Sequence, residues 1–178
     1  MKQKICGLVT IALICLFTFS AFKHNSINFQ VVSCGLNSAT GVTGEVLEQA
    51  TGTLQKGKGK STGSTYSIEG TRSLTNRFKI GDQCFQVVRS TGQPDPATYV
   101  SLYKLTVGKT NRSFAINNDG SASSGLISVQ LIQDATTSSY YKVFLGPGAS
   151  LFPGEYAFID KSTLTTDGKI NVWAFGID

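Results

Sequence analysis

From Thr65 onward the chain is a succession of short runs rich in β-branched and aromatic residues: TYSIE, LTNRFKI, QCFQVVRS, YVSLYKLTV, RSFAI, LISVQLIQ, SYYKVFLG, EYAFID and INVWAFG. They recur roughly every ten residues between Gly, Ser, Thr, Asn and Asp punctuation, and none carries the three-and-four spacing of an amphipathic helix. Ile127, Val129 and Leu131 fall on one face with Ser128 and Gln130 opposite, and Tyr141, Val143 and Leu145 repeat the pattern. Alternation of this kind points those faces inward. Turn sequences such as NNDG at 117–120 and TDGK at 166–169 suit connections between antiparallel neighbours, and no strand–helix–strand alternation is present. The chain is therefore expected to be all-β, an antiparallel sandwich or barrel.

Ahead of these strands, two lysines precede an apolar run from Ile5 to Phe22, the layout of an export signal. Residues 1–22 read as a signal peptide, with Thr18 and Ser20 suited to a cleavage site, or as a retained anchor at the short end of what spans a bilayer. VVSC at 31–34 has the outline of a lipoprotein box, but polar KHNSINFQ separates it from the apolar core that should run into it. Residues 23–64, rich in Gly, Ser, Thr and Lys, read as a flexible surface region. Its few anchors are Val46, Leu47 and Leu54, and GEVLEQA is a candidate brief helix. What remains, residues 65–178, has the size of one domain. The formal charge is +5, and it becomes weakly basic once the leader lysines are set aside. Ten Lys and Arg residues between Lys56 and Arg112 accompany Glu69, Asp82 and Asp95. Such a patch could meet anionic polymers or lipid headgroups, but a solvated face explains it more simply, and no nucleic acid is expected as a partner.

Chemistry is constrained by what is missing. The single histidine, His24, sits at the leader boundary, which argues against histidine-dependent hydrolysis. Cys6 and Cys15 lie in the leader, leaving Cys34 and Cys84. In an exported chain this pair permits a disulfide closing a loop of about 50 residues, worth roughly 3 to 4 kcal/mol; a free thiol buried in a strand is the alternative. Two cysteines without histidine make no recognisable zinc set. GTLQKGKGKST at 52–62 approaches the phosphate-loop pattern but has Gly59 where the magnesium-binding hydroxyl belongs, and neither a buried strand nor a helix flanks it. No nucleotide, cofactor or metal is expected. Paired carboxylates are the one catalytic option, with Glu155, Asp160, Asp167 and Asp178 as candidates for a glycan-acting site; Asp119 and Asp167, each before Gly, also suit turns. Tyr99, Tyr103, Tyr140, Tyr141, Trp173 and Phe175 are candidates for a binding platform, although Trp173 and Phe175 alternate with Val172 and Ala174 as a strand buried on both sides would. Asn111-Arg112-Ser113 matches a glycosylation acceptor.

LFPGEYAFID is the most informative stretch. Pro153 and Gly154 suit the centre of a type II turn, with a strand starting at Glu155. Leu151, Pro153, Gly154 and Tyr156 together resemble the tyrosine corner of immunoglobulin-like and fibronectin-like sandwiches, in which the phenol ties a crossing loop to the sheet. With PATYVSLYKLTVGKTNRSF at 96–114 and the closing VWAFGID, the chain also resembles, over roughly residues 65–178, a group of small exported bacterial proteins. These have an apolar leader, a Pro followed by an LYKL-type strand, a basic NR or KR pair and an ending near CFGID. The chain departs in Ala174, where Cys is common, and in its Gly- and Lys-rich front segment. The resemblance implies a single immunoglobulin-like antiparallel β-sandwich, secreted or at the periplasm or cell surface, and it transfers no catalytic residue. The expected function is a non-enzymatic binding or assembly module of the bacterial envelope, with an envelope protein or glycan as partner. Membrane contact would come only through a retained N-terminal segment. The alternatives are a small glycan-acting enzyme and a filament subunit that assembles by strand addition.

Overall fold

A computed structural model describes residues 29–34, 44–55, 63–81, 83–117 and 123–178. The leader, the lysines of the phosphate-loop-like stretch, Asp82 and the NDG of the 117–120 turn lie outside the described residues. In chain order the strands are β1 (Phe29–Ser33), β2 (Glu48–Gln55), β3 (Gly63–Glu69), β4 (Arg77–Phe78), β5 (Phe85–Arg89), β6 (Val100–Lys104), β7 (Thr106–Val107), β8 (Asn111–Asn117), β9 (Leu126–Ile127), β10 (Val129–Gln133), β11 (Tyr140–Leu145), β12 (Gly154–Asp160) and β13 (Lys169–Ile177). Single 3-10 turns, Pro96–Thr98 and Lys161–Thr163, precede β6 and follow β12. Among the described residues no helix is long and apolar enough to cross a membrane.

The strands form two packed sheets, a β-sandwich. The smaller runs β1-β5-β11-β10; the larger runs β7-β8-β3-β2-β13-β12-β6-β9, and short β4 pairs in parallel with the end of β13. Between the sheets lies one core, in which Trp173, Phe175, Tyr156 and Phe158 meet Phe29, Val31, Phe85, Val87 and Tyr141. The opposite face of β12 and β13 carries Ala157, Ile159, Ile170, Val172 and Ala174, and these belong to a second core with Tyr66, Ile68, Tyr103, Leu105 and Phe114. The second core exists because the larger sheet returns on itself. Only Leu105 separates β6, which pairs with β12, from β7, which pairs with β8. Strands β2, β3, β8, β6–β7, β12 and β13 thereby enclose an interior, across which the rings of Tyr103 and Phe114 stand 5.5 Å apart. Burial of each large side chain in such a core contributes about 1.5–3 kcal/mol. That explains why INVWAFG is apolar at nearly every position: β13 has no solvent face.

Four expectations require correction. The sandwich does not start at residue 65, because β1 and β2 belong to the two sheets and Phe29, Val31 and Leu47 are 0%, 0% and 2% exposed. The front region reads as polar because the inward positions of β2, Ala50 and Gly52, are small where rings opposite fill the space, and its outward positions are Thr and Gln. GEVLEQA forms no helix; its Val46 bridges to Val32 and its last residues open β2. Pro153 and Gly154 form no type II turn, because Gly154 is already the first residue of β12, at φ +154° rather than near the +80° such a turn needs. In β11, Tyr141 points inward and Val143 packs against the core, while Leu145 at the strand end is 39% exposed.

Candidate functional site

Strand parity sends Arg112 of β8, Glu155 of β12 and Glu48 of β2 to the same side of the wall as Phe114, Ala157 and Ala50, into one end of the enclosed interior. Arg112, 1% exposed, donates from Nη1 to Glu155 Oε2 at 3.2 Å and from Nη2 to Glu48 Oε1 at 3.2 Å and the Glu69 carbonyl at 3.3 Å. Arg77 donates to Glu155 Oε1 at 2.7 Å and, through Nε and Nη2, to both oxygens of Asp178. Ser73 completes the group: its N–H donates to Glu155 Oε2 at 2.7 Å and its hydroxyl to Glu48 Oε2 at 2.8 Å. Room for the guanidinium exists because residue 176 is Gly; a Cβ there would collide with Arg77 and stand 2.9 Å from Glu155 Oε1. Burial pushes the Glu48 carboxyl up, but hydrogen bonds from Ser73, Leu74 and Arg112 outweigh it and hold the group below its usual range. The Arg77 guanidinium is pushed up by its hydrogen bonds to Asp178 and Glu155. Glu48 and Glu155 are thus committed to arginines and to donors of Ser73 and Leu74, an arrangement that closes one end of the interior.

The acids proposed for a glycan site do not converge. Glu155 and Asp178 share Arg77 and belong to the buried group. Asp167 lies in an exposed turn, bonded to the Thr165 hydroxyl and to Lys169 at 2.9 Å. Asp160, 0% exposed, caps the Lys161–Thr163 turn by accepting from Ser162 N at 3.0 Å, while its Oδ2 has no hydrogen-bond partner, and burial raises its pKa. The aromatic platform is not assembled either. Tyr99, Tyr103, Tyr141, Trp173 and Phe175 are buried and Tyr140 is half-buried; the Tyr99 phenol donates to the Pro94 carbonyl and is pushed up to about 12 by burial and by Asp160. At the corner, the Tyr156 hydroxyl donates to the Phe152 carbonyl at 2.7 Å and accepts from the Phe152 N–H at 3.1 Å, while Leu151 packs in the core beside it. Pro153 stays exposed. Cys34 and Cys84 are joined in a disulfide, so the Cys34 sulfur is already committed. Asn111 lies in β8, its amide donating to Ser67 Oγ. Two of the ten clustered basic residues, Arg77 and Arg112, belong to the ion network instead of a solvated face.

One surface feature was not anticipated from sequence. Lys169 opposes Thr53, Thr53 opposes Ser67, Ser67 opposes Ser113 and Ser113 opposes Thr106. Directly opposed residues share a face, so these form one row across five strands, on the outside of the wall whose inside holds Phe114 and Ile68. A flanking row runs Gln55, Thr65, Ala115, and on the other side Glu69 opposes Asn111. Small side chains make the row a trough that deepens at both ends. One groove of about 600 Å³ is lined by Glu48, Thr51, Thr53, Ser67, Glu69 and Lys169 among others. A second of about 480 Å³ is lined by Thr65, Lys104, Thr106, Ser113, Ser124 and Phe114 among others. The signal in the sequence was the Thr and Ser alternation of ATGTLQ and GSTYSIE, uninformative until the register aligned it.

The chain matches no protein-family model, no curated protein and no solved structure. Among the described residues no group of three or more His, Cys, Asp or Glu is placed to hold a metal ion.

Proposed function

We propose that this chain is an exported, non-enzymatic binding module of the bacterial envelope, built on an immunoglobulin-like sandwich and working through the outer wall of its larger sheet. The observation that carries this reading is the trough: a hydroxyl-lined row across five strands with a groove at each end, on a wall backed by the second apolar core and the buried ion network. Rigid, shallow, polar surfaces bind with little ordering cost on the protein side. The Cys34–Cys84 disulfide supports an oxidising compartment, where such bonds persist. Glu155 and Asp178 are both tied to Arg77, while Asp160 caps a turn and Asp167 sits in an exposed one; this supports binding over turnover, because a glycosidase needs two carboxyls facing each other across one sugar.

The test is a screen of the purified chain against envelope fractions, by pull-down, and against soluble glycans and ester substrates, by product release. Saturable binding without turnover is the expected result. Specific release of reducing ends or acid, abolished by one acidic substitution, would reject the reading.

A further inference from the structure

The geometry points to a ligand of one chemical class for the trough: an extended, electrically neutral polysaccharide chain lying along the row from Lys169 to Thr106. This rests on the binding-module reading above. Four inter-strand steps of about 4.8 Å make the row roughly 19 Å long, the reach of a short oligosaccharide and not of a single small molecule. Its middle positions, Thr53, Ser67 and Ser113, carry hydroxyls alone, and the flanking row adds Gln55 and Thr65. A hydroxyl both donates and accepts, so the array is complementary to a polymer whose own groups do both at short, regular intervals.

The competing partners fit less well. Protein partners are gripped by buried aromatic and Arg anchors, and here the aromatic rings of the wall, Tyr66 and Phe114, point into the interior. A polyanion needs a run of cations, whereas the cationic ends Lys169 and Lys104 sit at opposite grooves and the first groove also holds Glu48 and Glu69. An ordinary solvated surface carries about a quarter to a third charged residues; between the two ends of the row there is none, and Glu69 is the one charge on the flanking positions named. Relief matters as well. Small outward side chains leave the backbone close to a bound chain, and a groove opens at each end of the row.

Affinity electrophoresis of the full chain suits weak, repeated contacts. The gels contain dextran, hydroxyethylcellulose or alginate, the last as a polyanion. Retardation by a neutral polysaccharide, insensitive to salt, is expected. Thr53→Lys and Ser67→Lys, tested separately, place a long cation in the trough and should weaken retardation about tenfold or more, the scale of one or two lost hydrogen bonds, with thermal unfolding unchanged for at least the exposed Thr53 variant. Gln130→Lys, on the outer face of the smaller sheet, should bind as the parent does. The proposal falls if neither neutral polymer retards the chain, if alginate alone does so in a salt-sensitive way, or if both trough variants bind normally. Retained binding of an envelope component by both variants would leave the binding-module reading standing and the trough assignment overturned; release of reducing ends would sink the reading itself.

Discussion

Removing one partner from the buried ion network should cost far more than removing the pair. Arg112 is 1% exposed and supplies three hydrogen bonds, to Glu155, Glu48 and the Glu69 carbonyl. In Arg112→Met the apolar stem is largely kept, and each carboxylate retains other partners: Glu155 keeps Arg77 and the Ser73 N–H, Glu48 keeps the Ser73 hydroxyl and the Leu74 N–H. The cost should therefore lie at the lower end of the range for a broken buried pair, about 3 kcal/mol. Glu155→Leu should cost more, about 4–5 kcal/mol, because it leaves Arg112 fully buried with Glu48 as its remaining anion and takes a partner from Arg77. The double variant removes both charges and should return to within about 1–2 kcal/mol of the parent, so the two changes would be strongly coupled, by several kcal/mol. Urea unfolding with the disulfide intact reads all four species; a 3 kcal/mol loss corresponds to roughly 6–12 °C in Tm for a domain of this size. A pH series adds a second check. Glu48 is held below its ordinary range when folded, so its contribution is present above the unfolded value near about 4.3 and is lost as pH falls through the depressed folded value. Arg112→Met should shrink that acid-side loss. Single costs under about 1 kcal/mol, or an additive double variant, would refute the picture of a desolvated, mutually dependent network.

Tyr156→Phe should cost about 0.5–1.5 kcal/mol in chemical denaturation, because the phenol's bonds to Phe152 are lost while the ring packing stays; Tyr156→Ala should cost about 3–5 kcal/mol through the cavity it adds. Reduction of Cys34–Cys84, or Ser at both positions, should lower stability by roughly 3–4 kcal/mol, since the bond closes a 50-residue separation; an unchanged denaturation midpoint would show that the loop is constrained by β1 and β5 alone. Asp160 has its pKa raised by burial, so the native state holds its proton more tightly and stability falls as pH rises from the unfolded value through the raised folded one. Asp160→Asn keeps an acceptor for Ser162 and should raise Tm at pH 7 but not at pH 3; a lower Tm at pH 7 would mean that the ionised form is supported by a partner.

From residue 65 onward, period-two alternation marks most of the strands and the faces they bury, whereas β1 and β2 lie in a front region that reads as a polar surface segment. The run from Val172 to Phe175 announces burial on both sides because neither alternating set is polar, and Tyr156 after Pro153 and Gly154 announces a corner because local geometry alone suffices to bring a phenol back to residue 152. Pairing is not local: it follows from packing between strands far apart in the chain. β2 reads as polar because its inward positions are small, a choice that makes sense once Phe114 and Ile170 are known to stand opposite. Arg112 and Glu155, 43 residues apart, look like two surface charges until a sheet that returns on itself turns both inward. The hydroxyl row likewise needs the register of five strands. Period-two alternation says which residues share a face within one strand, but a slip of one residue against a neighbour would send Thr53 or Ser67 into the interior; what selects the register is the packing of both cores at once, which no single stretch of the chain contains.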